Sequence, residues 1–409
     1  MNQKLIYLRL LAKIIFYAVL GTYLVFSIPV FLLKNKGVFK NKYIYLDTDF
    51  SFGYQVFDIE ILRRLVYPQK IAKIELLCSR KNRFLHLCYS DQVKNYNYQP
   101  LFLPQVIFFK SPFSGHYLIV ANKIFAFYIF LAFAFMKPRM LFTPRSFYNL
   151  MGDHKEHLPI FYNEISGKIE PMYDVTGLTK IIRHSQCPPT KLPSPEVEMV
   201  ENAIKPLHRK HKTTKIAYLL FRKSRTDCHY DKQRDVGDIA SYKSAIDYLS
   251  SQKFLIIGDG DISQEHRKHL TSLIWADQID ITYDLLNIYL LTQSDLFISQ
   301  HSGAYILPNC ANVPVILTNS FPFFVGTFNF DDVILFKNVF YDNKEIKIND
   351  VISKHSNILY GEITHGYRIV PNSEKQLLDA VKGTKLEKLE FPKDTHISKQ
   401  PNFICVSSY

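Results

Sequence analysis

The stretch that decides the fold is Tyr283–Asn319, with the sequence YDLLNIYLLTQSDLFISQHSGAYILPNCANVPVILTN. Its spacing predicts a helix at Leu285–Leu291, a strand at Leu296–Ser299, a second helix that ends near Ala311 and a buried strand at Val315–Thr318. Short apolar runs that alternate with helical patterns and are bounded by turn residues are typical of βαβ units. The sequence therefore predicts an α/β domain with a parallel sheet.

A polar turn, Gln300-His301-Ser302-Gly303, follows the first of these strands, and Asn319 follows the second. Ligands of open parallel sheets bind outside the carboxyl ends of the strands. The helix that begins at the turn offers unpaired backbone N–H groups and a positive dipole end, and Gly303 permits close approach of an anion. Two interpretations are open: the turn binds a phosphate, or Ser302 only caps the helix and Gly303 only turns the chain.

Length and composition bound the class of protein. The chain has 409 residues, which favours two domains. Its formal net charge is +13, but the basic residues are scattered among abundant Phe and Tyr. This distribution argues against a nucleic-acid partner and favours an anionic substrate or membrane surface. The six cysteines are widely spaced without a CxxC pair, which suits a reducing setting and indicates neither a zinc site nor a disulfide framework.

Two apolar blocks bear on membrane attachment. Residues 14–33 are uncharged, mostly apolar and long enough for a membrane helix, and they lack a small-residue cleavage site. Basic residues flank this block on both sides, so its charge bias does not decide between spanning the membrane and lying in its inner interface. The block Ile124–Met136 is shorter and is interpreted as a core helix or a membrane-contacting face, with a span as the alternative.

The remaining patterns suggest a domain plan. A strand at Tyr43–Leu46, a helix at Tyr54–Leu65 and a strand at Ile74–Cys78 indicate a first α/β unit. A helix is expected from Ser194 to about Leu207, because proline suits the first helical position. The expected domains are a membrane-attachment helix (1–36), a first α/β domain (37–207), a basic linker (208–215), a second α/β domain (216–382) and a tail (383–409).

Three arginines, Arg222, Arg225 and Arg234, follow a strand predicted at Ile216–Phe221. Guanidinium groups at the carboxyl end of a strand can bind a diphosphate bidentately, more specifically than a lone lysine or a backbone turn. The alternative is that these arginines are solvated loop charges. Their density beside one crossover favours anion binding.

Two Asp-x-Asp patterns, Asp47-Thr48-Asp49 and Asp259-Gly260-Asp261, follow apolar strands. Paired carboxylates can hold a divalent cation that bridges phosphates, but turn chemistry explains the same residues without a metal. We therefore predict no metal site. Gly258-x-Gly260 lacks the third glycine of a dinucleotide fingerprint.

A longer pattern in the second domain is Arg234-Asp235-x-x-Asp238-Ile239-x-x-Tyr242, a strand into Gly258, and Ser294-Asp295-Leu296-Phe297-Ile298-Ser299-x-x-Ser302-Gly303 with Val313-Pro314-Val315 and Asn319. This pattern resembles a family of bacterial surface-polysaccharide glycosyltransferases, which is marked by an Arg-Asn-x-Asp-Ile-x-x-Tyr segment and a Ser-Gly turn. The resemblance covers residues 216–325 and, weakly, 43–65. This chain departs from the family at Asp235, which replaces Asn, and it has one extra residue before Asp238.

The resemblance implies a GT-B-like fold, with two facing Rossmann-like domains, here preceded by a hydrophobic membrane helix. The expected partners are a nucleotide sugar, a lipid-linked or polysaccharide acceptor and the cytoplasmic membrane, with the catalytic domains on its cytoplasmic side and no cofactor. The donor-binding candidates, from the physical argument and the resemblance together, are Arg222, Arg225, Arg234, Asp238, Tyr242, Gly258, Asp259, Gln300, His301, Ser302, Gly303 and Asn319.

The catalytic base stays unassigned among Asp47, Asp49 and Glu60 of the first domain. Three other functions are open: a metal-dependent GT-A transferase that uses Asp259 and Asp261, a nucleotide-sugar epimerase, and a non-catalytic membrane subunit for polysaccharide assembly. The hydrophobic N-terminus counts against the epimerase, which is expected to be soluble.

Overall fold

The structure is a computed structural model, and it describes residues 43–47, 56, 60, 74–78, 87–88, 93–96, 140–143, 160–163, 168–171, 187–222, 237–260, 262–300, 302–320, 332–347, 350, 366–383, 386–389 and 403–406. Both apolar blocks considered for membrane attachment, residues 14–33 and 124–136, lie outside these ranges. Within the ranges, no helix combines the length and the apolar character that crossing a membrane requires.

The chain divides into two compact units. The first contains Met1–Phe50, Gln69–Lys81 and Ser90–Val175, and the second contains Ser51–Pro68, Asn82–Tyr89 and Thr176–Tyr409. The sequence suggested a division near residue 207, with the segment around Glu60 in the first domain. Instead, this segment groups with the second unit, where Oε2 of Glu60 accepts a hydrogen bond from Oγ1 of Thr190.

The sheet of the first unit has the strand order β3-β2-β1-β4-β5-β6. Strands β1 to β4 pair in parallel, and β5 and β6 continue the sheet in antiparallel pairing. The bounds are β1 Tyr43–Asp47, β2 Ile74–Cys78, β3 Val93–Tyr96, β4 Met140–Thr143, β5 Ile160–Asn163 and β6 Lys168–Pro171. The order 3-2-1-4 is that of a Rossmann-like unit, and Asp47 ends its inner strand.

The sheet of the second unit runs β16-β17-β12-β11-β10-β7-β8-β9. Every neighbouring pair is parallel except β16 with β17. The bounds are β7 Lys215–Phe221, β8 Phe254–Gly260, β9 Ile274–Trp275, β10 Leu296–Gln300, β11 Val315–Ser320, β12 Val333–Phe336, β16 Leu386–Leu389 and β17 Phe403–Val406. From β9 to β12 this is the doubly wound order 3-2-1-4-5-6, whose winding reverses between β7 and β10.

The described helices of the second unit are α1 Ser194–His211, α2 Lys243–Ser251, α3 Gln264–Arg267, α4 Tyr283–Gln293, α5 Ile306–Cys310 and α6 Glu374–Lys382, with 3-10 turns at Ile239–Tyr242, Ala276–Gln278 and Gly303–Tyr305. The linker expected at 208–215 is wrong in part, because α1 continues to His211. The basic residues of its last turn suit the negative end of the helix dipole.

The core of the second unit lies against both faces of the parallel sheet. On one face, α2 and α6 pack over Leu219, Phe221 and Ile298. On the other, α4 packs between α1 and α5, and its side chains from Leu285 to Thr292 are buried except that of Asn287. Because α4 is buried on almost all sides, its sequence is apolar almost throughout.

A small antiparallel sheet was not expected from the sequence. It consists of β13 Asn338–Tyr341, β14 Lys344–Ile346 and β15 Tyr367–Val370, in the order β14-β13-β15. The hairpin turn uses Asp342 and Asn343, both with positive φ, which these two residue types tolerate best apart from glycine.

Candidate functional site

The carboxyl ends of β7 and β10 form the topological switch point of the second sheet, the position where ligands of doubly wound folds bind. Arg222 follows β7, and the turn at Ser302-Gly303 follows β10. Topology therefore brings together two of the elements that are candidates for anion binding. Arg225, Arg234 and His301 lie outside the described residues.

The main-chain N–H of Arg222 donates to Oε1 of Gln300 over 2.6 Å. Gln300 is 1% exposed, so this bond lies inside the protein, whereas Arg222 itself is half-buried. A side-chain amide at the end of β10 thus fixes the main chain at the end of β7.

The same amide belongs to a buried polar network. Nε2 of Gln300 donates to the hydroxyl of Tyr242 over 2.9 Å and lies 3.5 Å from Oγ1 of Thr318. The hydroxyls of Tyr242 and Thr318 are 2.6 Å apart. Burial raises the pKa of Tyr242, while its bonds with Thr318, Gln300 and Asn319 oppose the shift, so the phenol stays neutral at physiological pH.

Asn319 closes the network on the side of β11. Its Nδ2 donates to the Tyr242 hydroxyl over 3.2 Å, and its main-chain N–H donates to Oδ1 of Asn372 over 2.5 Å. Three candidates for donor contact, Tyr242, Gln300 and Asn319, are therefore buried, and Gln300 and Asn319 each donate to the Tyr242 hydroxyl. Sequence reasoning missed Thr318 and Asn372, which lie far apart in the chain.

Ser302 occupies the N-cap position of the 3-10 turn that leads into α5, but its side chain accepts no capping hydrogen bond. Its Oγ is buried without a partner among the described residues. The interpretation of Ser302 as only a helix cap is therefore wrong. Gly303 beside it is exposed, so the phosphate interpretation of the turn stays as a prediction.

Asp238 has a local structural role. Its Oδ1 accepts from the N–H of Ala240 over 2.9 Å, and its main-chain oxygen accepts from Oγ of Ser241 over 2.6 Å. Asp238 thus caps the 3-10 turn that delivers Tyr242 to the network, with Ile239 in the core between them. The Asp-Ile-x-x-Tyr spacing is therefore explained by the turn itself, which Asp238 caps and Tyr242 ends.

Asp259 lies at the end of β8 and is held by tyrosines. Its Oδ2 accepts from the hydroxyls of Tyr218 over 3.0 Å and Tyr283 over 2.6 Å, and its Oδ1 accepts from the N–H of Gly260 over 2.7 Å. Burial first, and then the charge of Asp259, raise the pKa of Tyr218. Sequence reasoning missed both tyrosines.

The two glycines on either side of Asp259 lie where a Cβ atom would clash with neighbouring atoms. A Cβ on Gly258 would lie 2.1 Å from Cδ2 of Leu273, and a Cβ on Gly260, at φ +125°, would lie 1.9 Å from the carbonyl oxygen of Phe221. Asp261 lies outside the described residues, among which there is no group of three or more His, Cys, Asp or Glu suited to a metal.

Two of the three candidates for the catalytic base lie within the described residues. Asp47 ends β1 at the carboxyl edge of the first sheet, and Asp49 lies outside the described residues. Glu60 is completely buried, and its Oε2 accepts from Oγ1 of Thr190 over 3.0 Å. Thr190 also donates its N–H to the carbonyl of Cys310 at the end of α5. This burial fits a structural role for Glu60 better than proton transfer with a sugar hydroxyl.

No family model matches the sequence, and no curated protein matches it either. Among solved structures, the chain is similar to E. coli heptosyltransferase WaaC with ADP-2-deoxy-2-fluoro heptose, at 9% identity and a TM-score of 0.39 over 71% of this chain and 92% of that one. It is also similar to a protein assigned as UDP-N-acetylglucosamine 2-epimerase from Listeria monocytogenes (9%, TM-score 0.28, covering 68% and 79%). A third is the wall teichoic acid polymerase TagF (10%, TM-score 0.26, covering 76% and 78%). All three similarities are distant, and function is therefore inferred from this chain's own residues.

Proposed function

We propose that the chain is a membrane-associated, GT-B-like glycosyltransferase that moves a sugar from a nucleotide-sugar donor to a lipid-linked glycan in surface-polysaccharide synthesis. The observation that carries the proposal is the switch point between β7 and β10, where Arg222 and the Ser302-Gly303 turn follow adjacent parallel strands. A diphosphate is the ligand class that suits an arginine beside the main chain of a turn with an exposed glycine.

The chemistry requires stabilisation of the departing nucleoside diphosphate. Arg222, together with Arg225 and Arg234, would neutralise its charge, and the N–H groups of the Ser302-Gly303 turn would add fixed donors. Guanidinium groups and main-chain donors can do this without a metal. The site is therefore proposed to be metal-independent.

Transfer with inversion also requires a base for the acceptor hydroxyl. Of the two aspartate candidates, Asp47 has a described backbone position, at the carboxyl end of the inner strand β1. Asp49 stays a candidate beside it. Residues 14–33 would attach the enzyme to the cytoplasmic membrane, where a lipid-linked acceptor resides.

The proposal is tested by incubating the detergent-solubilised chain with radiolabelled nucleotide sugars and a lipid extract that contains glycan acceptors. Label is expected to enter the lipid fraction in the presence of EDTA. Arg222→Ala should abolish this transfer, and Arg209→Ala, an exposed arginine in the last turn of α1, should not.

Other outcomes point to other functions. Transfer that requires an added divalent cation would support a GT-A-type mechanism with Asp259 and Asp261. Conversion of one nucleotide sugar into its epimer without an acceptor would support an epimerase. A folded chain that turns over no nucleotide sugar would contradict the proposal and support a non-catalytic assembly subunit.

A further inference from the structure

We infer that Gln300 is a positioning residue, whose buried amide fixes the main chain of Arg222 so that the guanidinium is placed to bind the donor diphosphate. The inference rests on the proposed function and deepens it. It replaces a direct donor contact by Gln300 with an action through Arg222.

The hydrogen-bonding capacity of Gln300 is used inside the protein. Its Oε1 accepts the N–H of Arg222 at 2.6 Å, and its Nε2 donates to the hydroxyl of Tyr242 at 2.9 Å, with Oγ1 of Thr318 on the same side at 3.5 Å. With 1% of the residue exposed, the amide lies inside the protein and not at the surface that a ligand would contact.

The network has one consistent arrangement of protons. The N–H of Arg222 can only donate, so the oxygen of Gln300 must face it and the NH₂ group must face Tyr242. The Tyr242 oxygen also receives an N–H from Asn319 at 3.2 Å, and its own proton is then directed to Thr318. Loss of the Gln300 amide would leave the Arg222 N–H without this acceptor and Tyr242 short of one donor.

Gln300 links two segments of the chain that are separated in sequence. Arg222 is the first residue after β7, and Tyr242 ends the 3-10 turn that precedes α2, so the amide binds the chain on both sides of residues 223–236. Gln300 also stands two residues before Ser302. One side chain thus sets the relative position of both proposed phosphate-binding elements, and displacement by about 1 Å is enough to weaken a charged contact strongly.

A double-mutant cycle tests the inference. The full-length, detergent-solubilised protein is titrated calorimetrically with ADP, UDP, GDP and CDP, and the diphosphate that binds wild type best is used for Gln300→Leu, Arg222→Ala and the double variant. We expect Gln300→Leu to weaken binding about tenfold and Arg222→Ala at least as much. The double variant should bind no more weakly than Arg222→Ala alone, because Gln300 acts through Arg222.

Thr292→Val is the matched control, since it deletes a buried hydroxyl bonded to the carbonyl of Ile288 in α4, on the other face of the sheet. It should leave affinity unchanged. Equal effects of Gln300→Leu in the presence and absence of Arg222 would overturn the inference, as would no effect at all.

A readout without ligand separates this inference from the proposed function. The rate of tryptic cleavage after Arg222 should rise several-fold in Gln300→Leu, relative to cleavage after Arg209 in the same sample. An unchanged ratio would overturn the positioning role. A raised ratio in a protein that binds none of the four diphosphates would contradict the proposed function while retaining the contact between Gln300 and the Arg222 main chain.

Discussion

Asn319 and Asn372 exchange two hydrogen bonds: the main-chain N–H of each donates to the side-chain oxygen of the other over 2.5 Å. Asn319 adopts φ +48°, a left-handed conformation that Asn tolerates better than most residues. Nδ2 of Asn372 also donates to the carbonyl of Phe336 over 2.7 Å. The ends of β11 and β12 and the start of α6 are thereby joined beside the candidate donor site.

Replacing Asn372 by Leu should destabilise the second unit. The substitution leaves the N–H of Asn319 and the carbonyl of Phe336 without these buried partners, at a cost of about 2–5 kcal/mol in the free energy of unfolding. Urea denaturation followed by circular dichroism measures this loss.

The control for this prediction is Ser373→Ala, which removes the exposed N-cap of α6 and should cost about 1 kcal/mol. A loss for Asn372→Leu no larger than that of Ser373→Ala would show that the reciprocal pair contributes little.

The two glycines of β8 should respond differently to alanine. At Gly260 the new Cβ meets the main chain of Phe221 and φ is +125°, so we expect a loss above about 3 kcal/mol or failure to fold. At Gly258 it meets the side chain of Leu273, which can move, so about 1–3 kcal/mol is expected. Thermal unfolding compares the two variants.

Leu273→Ala should restore part of the stability lost in Gly258→Ala and none of that lost in Gly260→Ala. Gly383→Ala is the control, since φ there is +68° but nothing lies within 4 Å of the new Cβ. A loss at Gly260 no larger than that at Gly383 would show that φ alone, and not packing, sets the cost at Gly260.

Buried tyrosines predict a loss of stability at high pH. Burial raises the pKa of Tyr218 and Tyr242, and raises that of Tyr289, with the charges of Glu201 and Asp295, to about 12. Above pH ~10 the unfolded chain releases these protons while the folded chain keeps them, so stability is complete below that pH and falls as the pH rises further.

Urea denaturation at a series of pH values from neutral to strongly alkaline measures this slope, which is at most about 1.4 kcal/mol per pH unit for each retained proton. Tyr218→Phe and Tyr242→Phe should each make the decline shallower. A decline as steep in both variants as in wild type would contradict the assignment of the protons to these two residues.

Local patterns in the sequence predict much of the second sheet. The strand expected at Leu296–Ser299 is observed as Leu296–Gln300, and that at Val315–Thr318 as Val315–Ser320, because short apolar runs between turn residues define buried strands. The capping box of Ser373 and Gln376 at the start of α6 is a local pattern of the same kind. Each of these features depends on residues within a few positions of one another.

The connections within the site could not be predicted in this way. Tyr242 meets Thr318 from 76 residues away, and Asn372 meets Asn319 from 53. No local periodicity specifies such pairs, since they result from how the strands are ordered in the sheet. The sequence therefore suggested Tyr242, Gln300 and Asn319 as candidate site residues but did not predict that Gln300 and Asn319 both bond to Tyr242.

Asp259 should act through its tyrosines and not through a metal. Asp259→Asn leaves the hydroxyls of Tyr218 and Tyr283 facing an NH₂ group or a single oxygen, so we expect a loss of about 1–3 kcal/mol in the free energy of unfolding. Nucleotide affinity measured with and without Mn²⁺ should not depend on the metal in either protein. Metal-dependent affinity in wild type that disappears in Asp259→Asn would assign Asp259 to a metal site.

The proposed function depends most on the switch point of the second sheet being a metal-independent donor site. The most direct measurement is calorimetric titration of nucleotide sugars into the solubilised wild-type chain in EDTA, in parallel with Arg222→Ala and Arg209→Ala. Wild type and Arg209→Ala should bind one donor with equal affinity, and Arg222→Ala should bind it at least about tenfold more weakly. Binding that is lost in EDTA, or that is equally tight in Arg222→Ala, would contradict the proposed function.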